Sequence, residues 1–226
     1  MRPLAIIPAF NEAPRIAAVV AGLRARALPV LVVDDGSRDA TAAAAAAAGA
    51  QVLVQDNLGK GGAILAGCRW AVARGHTRVL LCDGDGQHDP ASAWALIAAA
   101  VRCDLVIGTR SIGCWRQPTH RRIANRIASL LVTFVGGQAI RDSQSGLRVC
   151  DPRQLLALRL ACRRYDLESE WCVRAARAGQ RIREVAVEVI YGDKRSGMHP
   201  VRDTGRFLAA LAHGWIRARL PGPARG

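Results

Sequence analysis

Short, continuously apolar runs alternate with longer stretches whose apolar residues recur at helical spacing through the first half of the chain. Residues 4–10 read as a strand and 13–27 as a helix. Residues 30–33 form a second strand that runs into Asp34-Asp35-Gly36-Ser37. Ser37 or Asp39 is placed to cap the Ala-rich helix that follows through residue 48, and Gly49 to end it. Ala is the best helix former, so the low complexity of that run points to helix. Residues 51–54 give a third strand, 61–74 a helix stopping at Gly75, and 78–82 a fourth strand entering Asp83-Gly84-Asp85-Gly86. Pro90 opens another helix at a first-turn position, and 105–108 follow as strand five.

After Arg110 the rhythm changes. Residues 119–135 carry apolar positions at helical spacing together with Arg121, Arg122 and Arg126. A polar loop, Asp142-Ser143-Gln144-Ser145-Gly146-Leu147-Arg148, precedes a helix over 166–178, a strand over 182–191 and an amphipathic helix over 201–220. Strands that are apolar throughout and separated by helices predict an α/β fold, a mostly parallel central sheet covered by helices on both faces. One domain over residues 1–220 is expected, divided near residue 110, with 221–226 as a flexible tail.

Composition sharpens this picture in three places. Aromatic residues make up only 4% of the chain, so the core is expected to be aliphatic. The net charge of +14, from 32 Lys and Arg against 18 Asp and Glu, favours polyanionic partners: nucleic acid, an anionic membrane surface or a phosphate-bearing substrate. Nucleic acid is disfavoured, because no interleaved aromatic residues or binding motif accompany the charge. Seven scattered Cys without a C-x-x-C pair argue against a disulfide framework and a zinc site, and fit a reducing, cytoplasmic setting. No signal peptide is visible. The stretch between Arg126 and Arg141 has 14 uncharged residues and contains Gly136, Gly137 and Gln138. A membrane span needs about 20 apolar residues, so at most peripheral contact with a membrane is expected.

In an open parallel sheet, ligands bind at the carboxyl ends of the strands. The polar signals of this chain gather there: Asn11-Glu12 after strand one, Asp34-Asp35 after strand two, Asp56-Asn57 after strand three and Asp83-Gly84-Asp85 after strand four. In an extended chain, Asp83 and Asp85 leave on the same side and make a hard oxygen site suited to Mg²⁺ or Mn²⁺. The alternative is a solvated acidic turn. The Asp34-Asp35 pair either caps the next helix or accepts hydrogen bonds from a nucleobase or ribose. Asn57-Leu58-Gly59-Lys60-Gly61-Gly62 is a glycine-rich entry into a helix, where backbone N–H groups and Lys60 can meet phosphate, although it lacks P-loop spacing.

The ordered set Ile7-to-Glu12, Val32-to-Asp39, Gly59-Lys60-Gly61, Asp83-to-His88, Gly108-Thr109-Arg110 and Asp142-to-Arg148 resembles the family 2 glycosyltransferases. Within them it is similar to the branch that includes dolichyl-phosphate and polyprenyl-phosphate sugar synthases, over about residues 4–205. The resemblance implies a Rossmann-like GT-A fold and inverting transfer from a UDP- or GDP-sugar, with residues 1–110 binding the nucleotide-sugar and 111–220 serving the acceptor. It places Pro8, Phe10, Glu12, Val33 and Asp35 around the nucleoside, and Asp83, Gly84, Asp85 and Gln87 at the diphosphate and its metal, while Asp34 at its strand end and Lys60 in the glycine-rich loop are expected to join the nucleotide-sugar site. Asp85 then acts on the leaving diphosphate, and Arg110 meets the donor phosphates or the acceptor phosphate. Asp142 is the candidate base if the acceptor is a hydroxyl, its alternative being a turn-forming Asp. Arg121, Arg122 and Arg195 are candidate ligands for an acceptor phosphate, the expected acceptor being a polyprenyl phosphate at the cytoplasmic membrane face.

The chain departs from the family pattern at Phe10, where Tyr is more frequent, at Leu147, where Phe is usual, and at Gly197, where Lys is common. It has neither a Q-x-x-R-W motif nor a transmembrane pair. A sugar-phosphate nucleotidyltransferase is the rival reading, but Pro8-Ala9-Phe10-Asn11-Glu12 stands where that class carries a Gly-rich basic loop.

Overall fold

A computed structural model describes residues 3–110, 119–161 and 167–188, with the side chains of 119–121 outside the description. Among these residues, seven strands form one sheet: β1 (Leu4–Ala9), β2 (Val30–Asp34), β3 (Gln51–Val54), β4 (Val79–Leu81), β5 (Leu105–Arg110), β6 (Arg148–Cys150) and β7 (Ile182–Val187). Their order is β3-β2-β1-β4-β6-β5-β7. The pairs β1–β2, β1–β4, β2–β3 and β5–β7 are parallel, as the unbroken apolar runs predict. The sequence reading has no counterpart for β6, which lies antiparallel between β4 and β5. Three residues, one of them an arginine, are too few and too polar to register as an apolar run.

Among the described residues, seven α-helices accompany the sheet: α1 (Ala13–Arg24), α2 (Thr41–Ala47), α3 (Lys60–Ala73), α4 (Ala93–Ala99), α5 (Thr119–Gly136), α6 (Pro152–Ala157) and α7 (Leu167–Arg177). The short α6 is also absent from the sequence reading. Pro90 opens a 3-10 turn, Pro90–Ser92, before α4 rather than the helix itself.

Side chains of a strand alternate between the two faces, and β1 shows the result. Leu4 and Ile6 enter one apolar cluster, shared with α3, α6 and α7, while Ala5, Ile7 and Ala9 enter a second, shared with α1 and α4. Both clusters are overwhelmingly aliphatic, with Trp171 the one large aromatic fully buried among the described residues. At Gly67, α3 comes so near the sheet that a β-carbon would lie 2.6 Å from Ile6 Cγ2. That close approach levels the start of α3 with the ends of β1, β2 and β4, where the polar residues collect.

Of the five described cysteines, Cys68, Cys82, Cys150 and Cys172 are buried and unbridged. Burial pushes the Cys68 thiol up to about 12, so it behaves as a small apolar group. The expected strand over 182–191 ends at Val187, with Glu188 already past it; residues 189–191, the 201–220 helix and the 221–226 tail lie outside the described residues. No helix of the described residues is long and apolar enough to cross a membrane.

Candidate active site

The loops after β1 and β2 are stitched together by short polar side chains. Asn11 sits at a φ of 54°, which Asn tolerates better than most residues. Its N–H donates to Ser37 Oγ (2.9 Å) and its Oδ1 accepts from the Arg38 N–H (2.8 Å). The Glu12 N–H donates to Thr41 Oγ1 (2.8 Å). Of the two expected caps, only Asp39 reaches the start of α2, accepting from the Thr41 N–H (3.0 Å). Ser37 instead fixes Asn11, and through it the turn that presents Phe10 and Glu12.

The adjacent pair after β2 divides its labour. Asp34 Oδ1 accepts from the Ser37 N–H (3.0 Å), closing its own turn. Asp35 points the other way. Its Oδ1 accepts from Gln55 Nε2 (2.6 Å) and the Leu58 N–H (2.9 Å), and its Oδ2 from the Gly59 N–H (2.8 Å). Asp35 therefore shapes the glycine-rich loop that leads into α3.

Beyond β4 the chain turns at Gly84-Asp85 rather than staying extended, with Gly86 at a φ of 76°. Alternation along an extended strand is thus not what brings Asp83 and Asp85 together. The turn does, and it is closed by the Gln87 N–H donating to Asp85 Oδ1 (3.1 Å). Lys60, at the first position of α3, places Nζ 2.7 Å from Asp83 Oδ1 and 2.7 Å from Glu168 Oε1 of α7. Burial alone would lower the Lys60 ammonium, but the charges of Asp83 and Glu168 raise it above its ordinary value, so it stays protonated. His88 stands 3.9 Å from Asp83. Burial lowers the imidazole more than the nearby carboxylates raise it, which keeps it neutral near pH 7.

These elements enclose a cleft of about 340 Å³ lined by Pro8, Phe10, Glu12, Asp35, Lys60, Asp83, Gly84 and Asp85, with Ala9, Asn57 and Gly59 between them. Eight of the residues expected at a nucleotide-sugar thus meet at one place. Val33, Asp34 and Gln87 do not line it: Val33 belongs to the core behind α3, Asp34 serves its turn, and Gln87 closes the Asp85 turn. Phe10 is 44% exposed at the cleft, offering a ring face without the hydroxyl that Tyr would bring.

The lining carries four carboxylates and one ammonium. A diphosphate would meet net repulsion there unless a cation came with it. Mg²⁺ and Mn²⁺ suit the donor set, because such sites use one or two carboxylates and take their remaining ligands from phosphate and water. Among the described residues no cluster of three or more His, Cys, Asp and Glu side chains forms a metal cage.

A second set of residues, Arg110 and Asp142 among them, does not line the cleft. Arg110, the last residue of β5, makes a two-pronged pair with Asp142: Nε to Oδ2 at 2.8 Å and Nη2 to Oδ1 at 2.7 Å. Burial raises the Asp142 carboxyl, but Arg110's hydrogen bonds and charge outweigh it and hold the group below the usual carboxylate range. Glu184 of β7 accepts from the Arg141 and Asp142 N–H groups (2.8 and 3.0 Å), fixing the loop's entry. Its exit is fixed by Arg148, fully buried, which donates to the carbonyls of Ser143 (2.7 Å), Ser145 (2.9 Å) and Glu168 (3.2 Å) and lies over the Trp171 ring. Ser143 bonds Ser129 of α5 (3.2 Å), and Ser145 Oγ donates to the Gly108 carbonyl (2.5 Å). Leu147 packs on Gly108, where a β-carbon would lie 3.0 Å from Leu147 Cδ2.

Arg122 is exposed on α5. The Arg121 side chain and Arg195 lie outside the described residues. The sequence assigns no individual role to Glu168, Arg148 or Glu184. Acidic residues in the first turn of a helix are ordinarily satisfied by the helix dipole, so nothing local marks Glu168 as a partner of Lys60.

Residues 4–148 match the family described as Glycosyl transferase family 2. The chain is 34% identical to the undecaprenyl-phosphate mannosyltransferase of Micrococcus luteus, over 97% of this chain and 99% of that one. It is 32% identical to the polyprenol monophosphomannose synthase of Mycolicibacterium smegmatis, over 97% and 89% of the two chains. Among solved structures, glucosyl-3-phosphoglycerate synthase from Mycobacterium tuberculosis in complex with Mn²⁺, UDP and glucosyl-3-phosphoglycerate superposes with a TM-score of 0.73, at 20% identity, over 100% of this chain and 83% of that one. That similarity establishes a shared GT-A fold.

Proposed function

Because the chain belongs to glycosyl transferase family 2 and is a glycosyltransferase, we propose that it moves a sugar from a UDP- or GDP-sugar to a polyprenyl phosphate, with inversion at the anomeric carbon and with Mg²⁺ or Mn²⁺ at Asp83 and Asp85. The observation that carries the donor half is the convergence of Phe10, Glu12, Lys60, Asp83 and Asp85 on one cleft at the strand ends. In this reading the nucleoside lies against Pro8 and Phe10, and the diphosphate reaches Lys60. Asp83 and Asp85 are the residues that would hold a divalent cation, which when bound would supply charge neutralisation for the leaving group. The solved neighbour's Mn²⁺ and UDP, and the lipid-phosphate names of the relatives, support this assignment.

The acceptor half follows from the Arg110–Asp142 pair. A hydroxyl acceptor would need a base, and Asp142 is the side chain the sequence offers. With both oxygens on Arg110 and its proton affinity lowered, Asp142 is a poor base and a good clamp. A phosphate monoester is already anionic and needs only positioning. One phosphate oxygen attacks the anomeric carbon, the bond from that carbon to the nucleoside diphosphate breaks, and Arg110 steadies the phosphate charge.

The lipid part of the acceptor has a matching surface. On α5, Ile123, Ile127, Leu130, Leu131 and Phe134 form an exposed apolar stripe, Phe134 being 86% exposed, and Arg122 and Arg126 lie on the same helix. Such a helix rests in an anionic membrane interface, and the Ser129–Ser143 bond ties it to the loop that carries Asp142. Thermal-shift titration with UDP and GDP, with and without Mn²⁺, tests the donor half. Stabilisation by one of them that requires Mn²⁺ is expected. No stabilisation by either would refute it.

A further inference from the structure

Lys60 and Lys194 are the only lysines among the 32 Lys and Arg of the chain. In a protein that otherwise uses arginine almost throughout, an ammonium at the centre of the cleft calls for a physical reason. Arginine presents a rigid fork that locks onto a carboxylate with two bonds. Lysine is a compact charge on a flexible stem, and it changes partners easily.

The surroundings of Lys60 supply two partners and room for a change. Its Nζ bridges Asp83 of the cleft and Glu168 of α7, both at 2.7 Å. The Glu168 side chain is 6% exposed, and its Oε2 is buried with no hydrogen-bond partner. An unsatisfied buried carboxylate oxygen is costly, and here it lies on the group already holding the ammonium. Asp83 is one of the two carboxylates that suit a divalent metal, so the ammonium and the metal have claims on the same oxygens.

We infer that Lys60 is the resident counter-cation of Asp83, which it yields to the divalent metal as the donor enters, and that Glu168 is the positioning residue that keeps the released ammonium in the cleft to meet the diphosphate. The inference rests on the donor-site reading above and adds an order to it. Before the donor arrives, Lys60 neutralises Asp83 and opposes binding of metal alone. When metal and diphosphate arrive together, Asp83 takes the metal, while Glu168 and the diphosphate take Lys60. Metal and nucleotide then bind with positive coupling, each favouring the other.

The test is Mn²⁺ binding followed by the electron paramagnetic resonance signal of the free ion, with and without UDP or GDP, which reads the exchange without turnover. The wild type is expected to bind Mn²⁺ weakly alone and more tightly with nucleotide. Lys60→Met is expected to bind Mn²⁺ alone at least about tenfold more tightly, because a competing unit charge is gone, and to lose most of the gain from nucleotide. Lys60→Arg is expected to bind Mn²⁺ more weakly than wild type, since the fork locks Asp83. If Lys60→Met does not fold with Glu168 left unpaired, Lys60→Met/Glu168→Gln removes both charges and carries the same expectation. A wild type that binds Mn²⁺ with nucleotide, beside neutral variants that bind the metal alone no more tightly, would overturn the exchange. A wild type that binds no Mn²⁺ with either nucleotide would overturn the donor-site reading beneath it.

Discussion

Gly146 lies directly against the carboxylate of Asp83: a β-carbon at position 146 would sit 2.4 Å from Asp83 Oδ2. The loop that begins at Asp142 therefore closes over the residue at the centre of the cleft, and a hydrogen in place of a side chain makes this possible. Gly146→Ala must push the Asp83 carboxylate aside. The expected result is a fall in kcat/KM of at least about 100-fold, the scale of a 1 Å misplacement at a reacting site, with near-normal circular dichroism. Steady-state kinetics beside a thermal melt would check it; unchanged kcat/KM would show that Asp83 need not hold this position.

Asp142 gives a pH prediction with a definite sign. Its carboxyl is held below the ordinary range in the folded protein, so it stabilises the fold above its unfolded value, and that contribution is lost as pH falls through the folded value. Asp142→Asn is expected to be less stable at pH 7 by about 2 kcal/mol, having left Arg110 with half a partner. In urea titrations the gap from wild type should narrow as pH is lowered below about 4, near the unfolded carboxyl value. A gap constant from pH 7 to pH 3 would show that the Arg110 pair adds nothing to stability.

Arg148 holds three carbonyls from two segments and is fully buried. Lysine cannot reach three divergent acceptors from one nitrogen with the same geometry. Arg148→Lys is expected to lower the melting temperature by about 10 °C, the scale of a few kcal/mol in a chain of this size. Differential scanning calorimetry measures it; a change within 2 °C or so would show that the loop is held by Ser129, Ser145 and Glu184 instead.

The apolar stripe of α5 makes a prediction separable from catalysis. Leu130→Glu/Phe134→Glu alters two exposed positions and should leave the melting temperature unchanged within a few degrees. Co-sedimentation with vesicles containing anionic lipid should fall at least about fivefold, since two apolar anchors become like-charged with the surface. Equal sedimentation of variant and wild type would remove α5 from the membrane-facing surface.

Much of this was legible in the chain because parallel strands announce themselves. Leu4-to-Ala9 and Val30-to-Val33 are apolar at every position but Pro8, and each ends in polar residues that the sheet must bring together. Asp83, Asp85, Asp35 and Glu12 could be assembled on that ground alone. What stayed hidden is what long-range packing decides. Arg148-Val149-Cys150 becomes a strand only because β4 and β5 stand ready on either side. Asp34 and Asp35 are neighbours in sequence, yet only the partners at Ser37 and at Gln55 to Gly59 show which one shapes the loop beside the cleft. Lys60 and Glu168 are far apart in the chain, and neither carries a local sign of the other.

The central claim is transfer to a phosphate, and it is tested most directly by mass spectrometry of the product formed from UDP- and GDP-sugars with polyprenyl phosphate and, in parallel, the unphosphorylated polyprenol, each with Mn²⁺. The account predicts a sugar-bearing polyprenyl phosphate from one nucleotide class, no product from the polyprenol, and loss of product on chelation of the metal or in Asp83→Asn. Glycosylation of the polyprenol hydroxyl, or no transfer to the phosphate from either class of donor, would contradict it.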